Sequence, residues 1–263
     1  MDDISRPDRV SALRRERADV IGFCRELDDD QWQTPSKAAG WRVQDVVAHL
    51  GSACHSIFTP ASLKVLRTND IERTNDALVD ARRDWTPAQT LAEYERWSRT
   101  LITAARLTLS TPLAGLRMPL GELGKFPARL LLAGAMTFDQ HTHLRHDIAA
   151  ALGLPAPDAD ATRMTVILEW MFAVLSNQLQ AARPAWLDRS IGITLRGPGG
   201  GSWVVDAHRA VPGQSTDAAA AIAGVAVEFP EWGTRRADWR TRDVTISGDE
   251  DYGARFLDIV NIV

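Results

Sequence analysis

The chain holds little cysteine: Cys24 and Cys54 are the only two in 263 residues. Neither belongs to a C-x-x-C pair, so a dithiol redox motif is excluded. Both fall on helical segments, where free thiols act as small apolar residues, and a reducing cytoplasm suits them. No apolar run of about 18 residues occurs, so no transmembrane helix is expected. Met1-Asp2-Asp3-Ile4-Ser5-Arg6-Pro7 lacks the basic region and apolar core of a secretion signal, and a cytoplasmic location is the expectation. Basic charge is not in excess either. A net charge of -4 argues against nucleic acid as a partner. There is no G-x-S-x-G elbow. The glycine run Gly197 to Gly201 lacks the lysine and hydroxyl residue of a phosphate loop and reads as a hairpin turn. Internal repeats and low-complexity segments are also missing.

What remains is an ordinary globular composition, 45% hydrophobic and 24% charged, enough for one large domain or two modest ones. The nine tryptophans are assigned to cores. Val10, Leu13, Val20, Ile21, Phe23 and Leu27 recur with helical spacing and predict a helix from about Pro7 to Leu27. After a polar break from Asp28 to Ser36, a second helix runs from Val43 toward Phe58. Thr59-Pro60-Ala61-Ser62 interrupts it or opens the next segment. Thr86 as cap and Pro87 at the first helical position begin a third helix, which reaches about Leu109. A loop with Pro112, Gly115, Pro119, Gly121 and Gly124 leads into a fourth, from about Pro127 to Leu152. Four principal helices with polar connections predict a four-helix bundle over residues 1–155.

Gly153 to Asp158, with Pro155 and Pro157, combines stop signals and marks a domain boundary. Residues 156–263 read as a smaller α+β domain. A helix is expected over Met164 to Ala182, with strands at Ile191 to Arg196, Ser202 to Asp206, Ala223 to Phe229 and Val244 to Ile246. A last helix covers Glu250 to Val260. Helices packed on a small, largely antiparallel sheet follow from that order.

Chemistry concentrates at three residues. His49 lies in the run Gly40-Trp41-Arg42-Val43-Gln44-Asp45-Val46-Val47-Ala48-His49-Leu50, and Asp139 and His143 lie four apart on the fourth helix. At 100° per residue the latter two are only about 40° apart around the axis. Two such helices side by side converge two imidazoles and a carboxylate. With coordination positions left open, that donor set describes a catalytic metal site. His141 falls near the opposite side. His146 borders the face of His143 as a catalytic helper or alternative ligand, with Arg145 beside it. Asp45, four before His49, either tethers that imidazole or serves its helix's cap and dipole. Without a metal, the same histidines are structural groups of a helical core.

The segments Gly40 to Leu50 and Phe138 to Ile148 resemble the mycothiol-dependent maleylpyruvate isomerase family, the first most specifically. Glu231-Trp232-Gly233-Thr234-Arg235-Arg236, Ser247-Gly248-Asp249 and Phe256-Leu257-Asp258 resemble that family's C-terminal region. The resemblance implies a DinB-like four-helix bundle followed by an α+β domain related to sterol-carrier proteins. It places the family's first histidine ligand on His49 and its Glu-x-x-x-His pair on Asp139 and His143. This chain therefore has aspartate, one methylene shorter, where the family has glutamate. Ala38 and Ala39 stand where relatives often carry Cys-Pro.

The same resemblance implies zinc, although nickel, iron and manganese also suit these donors, and mycothiol or a similar thiol as cofactor. A metal-bound thiol is deprotonated. Its addition to a conjugated double bond, rotation and expulsion would isomerise a small electrophilic substrate, and displacement of a leaving group would give S-transfer. Arg235 and Arg236 are candidates for clamping an acidic substrate, or form a solvated surface pair. Two other functions stay open: a metal-dependent hydrolase or resistance enzyme that activates water, and a non-catalytic small-molecule or lipid-binding module. Non-haem iron oxygenases share the donor set, but they usually sit on a β-barrel, which the helical first half opposes.

Overall fold

The computed structural model describes residues 4–262, which divide into two compact units: residues 6–158, and residues 4–5 together with those from 159 onward. The first is mostly helical. In order it has α1 (Arg6–Arg25), α2 (Asp29–Gln33), α3 (Val43–Ser56), α4 (Ala61–Arg67), α5 (Ile71–Asp80) and α6 (Pro87–Thr108). A hairpin of β1 (Arg117–Pro119) and β2 (Lys125–Pro127) precedes the final helical stretch. That stretch opens with a π-helical segment, Leu130–Ala135, and continues as α7 (Met136–Thr142). A second π-helical segment, His143–Ala149, and a short α8 (Ala150–Leu152) complete it.

Local chemistry explains the helix starts. The Thr86 hydroxyl accepts the Gln89 N–H, the Gln89 side chain accepts the Thr86 N–H, and Pro87 occupies the first turn, so α6 begins where its cap predicts. Three segments differ from the sequence expectation. The polar break contains α2, because Asp28 and Gln31 form the same reciprocal cap and Trp32 buries its ring. The stretch expected as a loop folds into β1 and β2, turned by Gly121 and Gly124 at positive φ. Helix α5, of ten residues, is the third: the Asp70 side chain caps it, and its apolar side is narrow, with Val79 buried and Ile71 and Leu78 half-buried.

Apolar faces of α1, α3, α6 and the final stretch meet in two clusters. Val20, Cys24, Val46, Leu50 and Ile148 belong to one, and Leu13, Cys54, Leu101 and Met136 to the other. Each fully buried aliphatic side chain contributes about 1.5–3 kcal/mol. A polar link fixes α1 against the final stretch. Glu16, fully buried, accepts hydrogen bonds from His141 Nδ1 at 3.0 Å and Arg145 at 2.7 Å.

The second unit has α9 (Ala161–Ala182), β3 (Ile191–Arg196), β4 (Gly201–Val205), β5 (Ala210–Pro212), β6 (Ala220–Val225), α10 (Phe229–Gly233), β7 (Thr245–Gly248) and α11 (Glu250–Ile259). The strand order is β5-β4-β3-β6-β7; β3 and β6 run parallel and the other neighbours antiparallel. Gly197 to Gly201 does turn the β3–β4 hairpin. The strand expected at Ala223 to Phe229 is displaced. It begins at Ala220 and ends at Val225, where a 3-10 turn leads into α10 with a proline in its first turn. Phe172 of α9 stacks on Trp203 of β4 at 4.0 Å and on Phe229 at 5.2 Å, which seats the helix on the sheet. Among the described residues no helix is long and apolar enough to cross a membrane.

Candidate metal centre

The loop from Thr34 to Arg42 delivers α3 in a set orientation. The Val43 N–H donates to the Thr34 carbonyl, the Ser36 N–H to the Trp41 carbonyl, and Gly40 supplies the left-handed φ of 79° that the turn requires. Asp45 then serves the helix cap. Its carboxylate accepts the Arg42 N–H at 2.9 Å, the Arg42 guanidinium at 2.9 and 3.0 Å, and Arg83 at 3.3 Å. Burial alone would raise the Asp45 pKa. The Arg42 hydrogen bonds and the charges of Arg42 and Arg83 outweigh it and hold the carboxyl below its usual range. Asp45 is thus a cap held by arginines and not a tether for His49. With Val43, Val46, Val47 and Leu50 facing the core, His49 lies 5% exposed one turn past Asp45.

There it meets the final helical stretch. Asp139 Oδ1 is 3.3 Å from His49 Nε2 and 3.5 Å from His143 Nε2, and the two imidazoles meet edge to face at 4.9 Å. One donor atom from each of His49, Asp139 and His143 lies within 4.8 Å of the other two. Neighbouring ligands of a tetrahedral ion with bonds of about 2.0–2.2 Å are roughly 3.4 Å apart. The two Asp139 distances match that spacing.

The far side of His143 decides its chemistry. Its Nδ1 is 2.6 Å from Asp147 Oδ2, and the Asp147 side chain is 1% exposed. A carboxylate accepts and cannot donate, so the imidazole proton sits on Nδ1. A neutral His143 therefore turns its Nε2 lone pair toward another acceptor, Asp139 Oδ1. Two acceptors facing each other at 3.5 Å require a proton or a cation between them. Two imidazoles and a carboxylate suit a divalent transition metal, and the residues present fit one. His49 is held differently, because its buried Nδ1 has no hydrogen-bond partner among the described residues.

Trp41 flanks the cluster. Its ring centroid is 5.1 Å from that of His49 and 6.3 Å from that of His143, and its Nε1–H donates to Asp76 of α5 at 3.0 Å.

Other sequence candidates lie elsewhere. His141 pairs with Glu16 on the opposite side, as its spacing predicts. His146, expected at the border of the His143 face, instead approaches the His141 ring at 6.2 Å. The reason is the π-helical segment. Its i→i+5 ladder gives a wider turn, which rotates the i+3 position away and leaves i+4 aligned. Arg145, considered as a helper, is buried and paired with Glu16 and Asp19. Arg235 and Arg236 lie in the second unit. Arg235 donates to the carbonyls of Asp258 and Val260 at the end of α11, and Arg236 is exposed. Cys24 and Cys54 are buried, and burial pushes the Cys24 thiol up to about 12 and Cys54 higher still. Asp147 and Trp41 were missed by sequence reasoning as parts of this site. Asp147 had a signal, since it lies four residues beyond His143 as His143 lies four beyond Asp139.

Comparison with known proteins finds a match within the helical unit. Residues 13–136 match the mycothiol maleylpyruvate isomerase N-terminal domain. The helical unit is thus similar to that family's N-terminal domain. The match takes in Trp41 and His49 and ends at Met136, short of Asp139 and His143. Over most of its length the chain is similar to solved structures of mycothiol-dependent maleylpyruvate isomerase and of a histidine-to-alanine variant of it. For each the TM-score is 0.55 at 16% identity, covering 93% of this chain and 94% of the other. At that identity the likeness establishes a shared fold: a mostly helical N-terminal half with a smaller sheet-containing C-terminal region. Two uncharacterised proteins of Mycobacterium tuberculosis, one from strain CDC 1551 / Oshkosh and one from strain ATCC 25618 / H37Rv, are also similar. Each is 25% identical over 258 residues, covering 92% of this chain and 90% of its own length.

Proposed function

We propose that the chain is a metal-dependent enzyme that uses a low-molecular-weight thiol, mycothiol or a close analogue, to isomerise a small acidic electrophile. In this reading the helical unit is a DinB-like four-helix bundle, zinc is the first-choice metal, and S-transfer is the neighbouring reaction. The observation that carries it is the convergence of His49 Nε2, His143 Nε2 and one Asp139 oxygen, with the acceptor of Asp139 set against that of His143. Relationship to maleylpyruvate isomerases supports the substrate class and the thiol.

His49 and His143 would hold the ion through neutral imidazoles, and Asp139 would offset one of its charges. Such an ion supplies Lewis acidity that favours the thiolate form of a coordinated thiol near neutral pH. The chain's own thiols are buried with raised pKa values and supply no nucleophile, so the sulfur must come from a diffusible cofactor. Trp41 covers one side of the histidine pair and limits water there.

The test is elemental analysis of protein purified without chelator, combined with turnover of maleylpyruvate and related electrophiles with and without mycothiol. Near-stoichiometric divalent metal and thiol-dependent turnover are expected. Metal-dependent turnover that ignores thiol would replace the proposal with a hydrolase, and protein without metal affinity would leave a binding module.

A further inference from the structure

We infer that Asp147 is a positioning residue of the metal centre: its buried carboxylate holds His143 with the proton on Nδ1 and keeps Nε2 open to a divalent cation. The inference rests on the metal-centre reading for its consequence, but its geometry stands apart from any ion.

A neutral imidazole carries one proton, which either nitrogen can hold. A tautomer with the proton on Nε2 cannot ligate through that atom. Asp147 Oδ2, 2.6 Å from Nδ1, removes the choice, since only an Nδ1–H satisfies it. The carboxylate is almost fully shielded from water, so the bond is not diluted by solvent. Carboxylates in this position orient ligating histidines and raise their basicity.

The backbone arrangement supports this role. His143 and Asp147 both lie in the π-helical segment His143–Ala149, whose wide turn keeps i+4 over i while sending His146 toward His141. The Asp147 carbonyl also accepts the Lys37 N–H at 3.1 Å, which fastens the Trp41-bearing loop at the same point. Among the described residues His49 has no equivalent partner on Nδ1. The two histidines are therefore unequal: Asp147 acts on His143 alone.

The experiment compares Asp147→Asn, Asp147→Glu, His143→Ala and the double variant His143→Ala/Asp147→Asn with the unaltered protein. Zinc(II) and cobalt(II) titrations give affinity, and nitrogen-15 NMR of the imidazoles in metal-free protein gives the tautomer. In the unaltered protein His143 should carry its proton on Nδ1. Asp147→Asn should weaken zinc binding about 10–100-fold and admit the other tautomer, while helix content is kept. Asp147→Glu should recover part of the affinity, and the double variant should bind no worse than His143→Ala alone. A proton found on Nε2 in the unaltered, metal-free protein overturns the inference whatever the variants do. Wild-type zinc affinity in Asp147→Asn, alongside loss in His143→Ala, also overturns it. If the unaltered protein binds neither metal, the metal-centre reading fails, and the tautomer still decides the role of Asp147.

Discussion

The indole of Trp41 lies 5.1 Å from the imidazole of His49, tilted by 38°, and is anchored by its N–H to Asp76. An aromatic ring so close to the ligand cluster reports on it. Cobalt(II), which absorbs in the visible and quenches nearby fluorophores, should dim part of the tryptophan emission. Trp41→Phe should remove most of that metal-dependent part while leaving the emission of the other indoles. Equal quenching in the variant would place the ion away from this ring.

Removal of single donors should have graded effects. His49→Ala and His143→Ala are each expected to abolish most bound metal. Asp139→Asn should weaken retention less completely, because an amide oxygen is still a poor ligand. Elemental analysis after dialysis reads the result, with thermal unfolding as control. Full metal content in both histidine variants would show that the cluster is not the binding site.

Glu16 holds a different kind of pair. It is fully buried and accepts from both His141 and Arg145, so its loss leaves the buried guanidinium with only the longer contact to Asp19 for charge. Breaking such a pair from one side costs about 3–5 kcal/mol. Glu16→Ala should therefore lower the urea midpoint sharply. A change below 1 kcal/mol (about a fivefold shift in the folding equilibrium) would mean that Asp19 takes over the arginine.

The cap carboxylate of Asp45 gives a pH signature. Its folded pKa lies below the ordinary aspartate value. A depressed carboxyl contributes stability above its unfolded pKa, and that contribution is lost as pH falls through the folded one. Asp45→Asn should be less stable than the unaltered protein near pH 7, with the gap narrowing below about pH 4. Urea unfolding at both ends of that range checks it; a gap independent of pH would show that the arginine contacts contribute nothing through charge.

The parts of this fold that follow strong periodicity or complete cap chemistry were legible in the chain. Thr86 and Pro87 announce α6, and the apolar face of Val43, Val46, Val47 and Leu50 announces α3. Spacing alone put Asp139 and His143 on one side of a helix, and the structure brings His49 to meet them. What stayed hidden has physical reasons. Strands of three residues, such as β1, β2 and β5, are too short to show alternation among glycines and prolines. Helix α5 has only ten residues, with Ile71, Leu78 and Val79 as its apolar side, too short a repeat to stand out among its polar neighbours. In the sequence Trp41 reads as one more core indole, because residue type does not reveal which neighbour a ring covers. An α-helical angle puts His146 near His143, whereas the backbone adopts a wider turn there.

That wider turn makes the helix sensitive to chain length. Deleting one residue between Leu144 and His146 would let the hydrogen-bond ladder close at the ordinary step, swinging the side chains from there to the end of the π-helical segment by about 100° while those beyond it keep their places. Ile148 would leave its apolar neighbours along with the carboxylate beside it. A residue lost from the segment linking α6 to β1 would be absorbed at the surface, so indels in homologous chains should accumulate there and spare the stretch after Asp139.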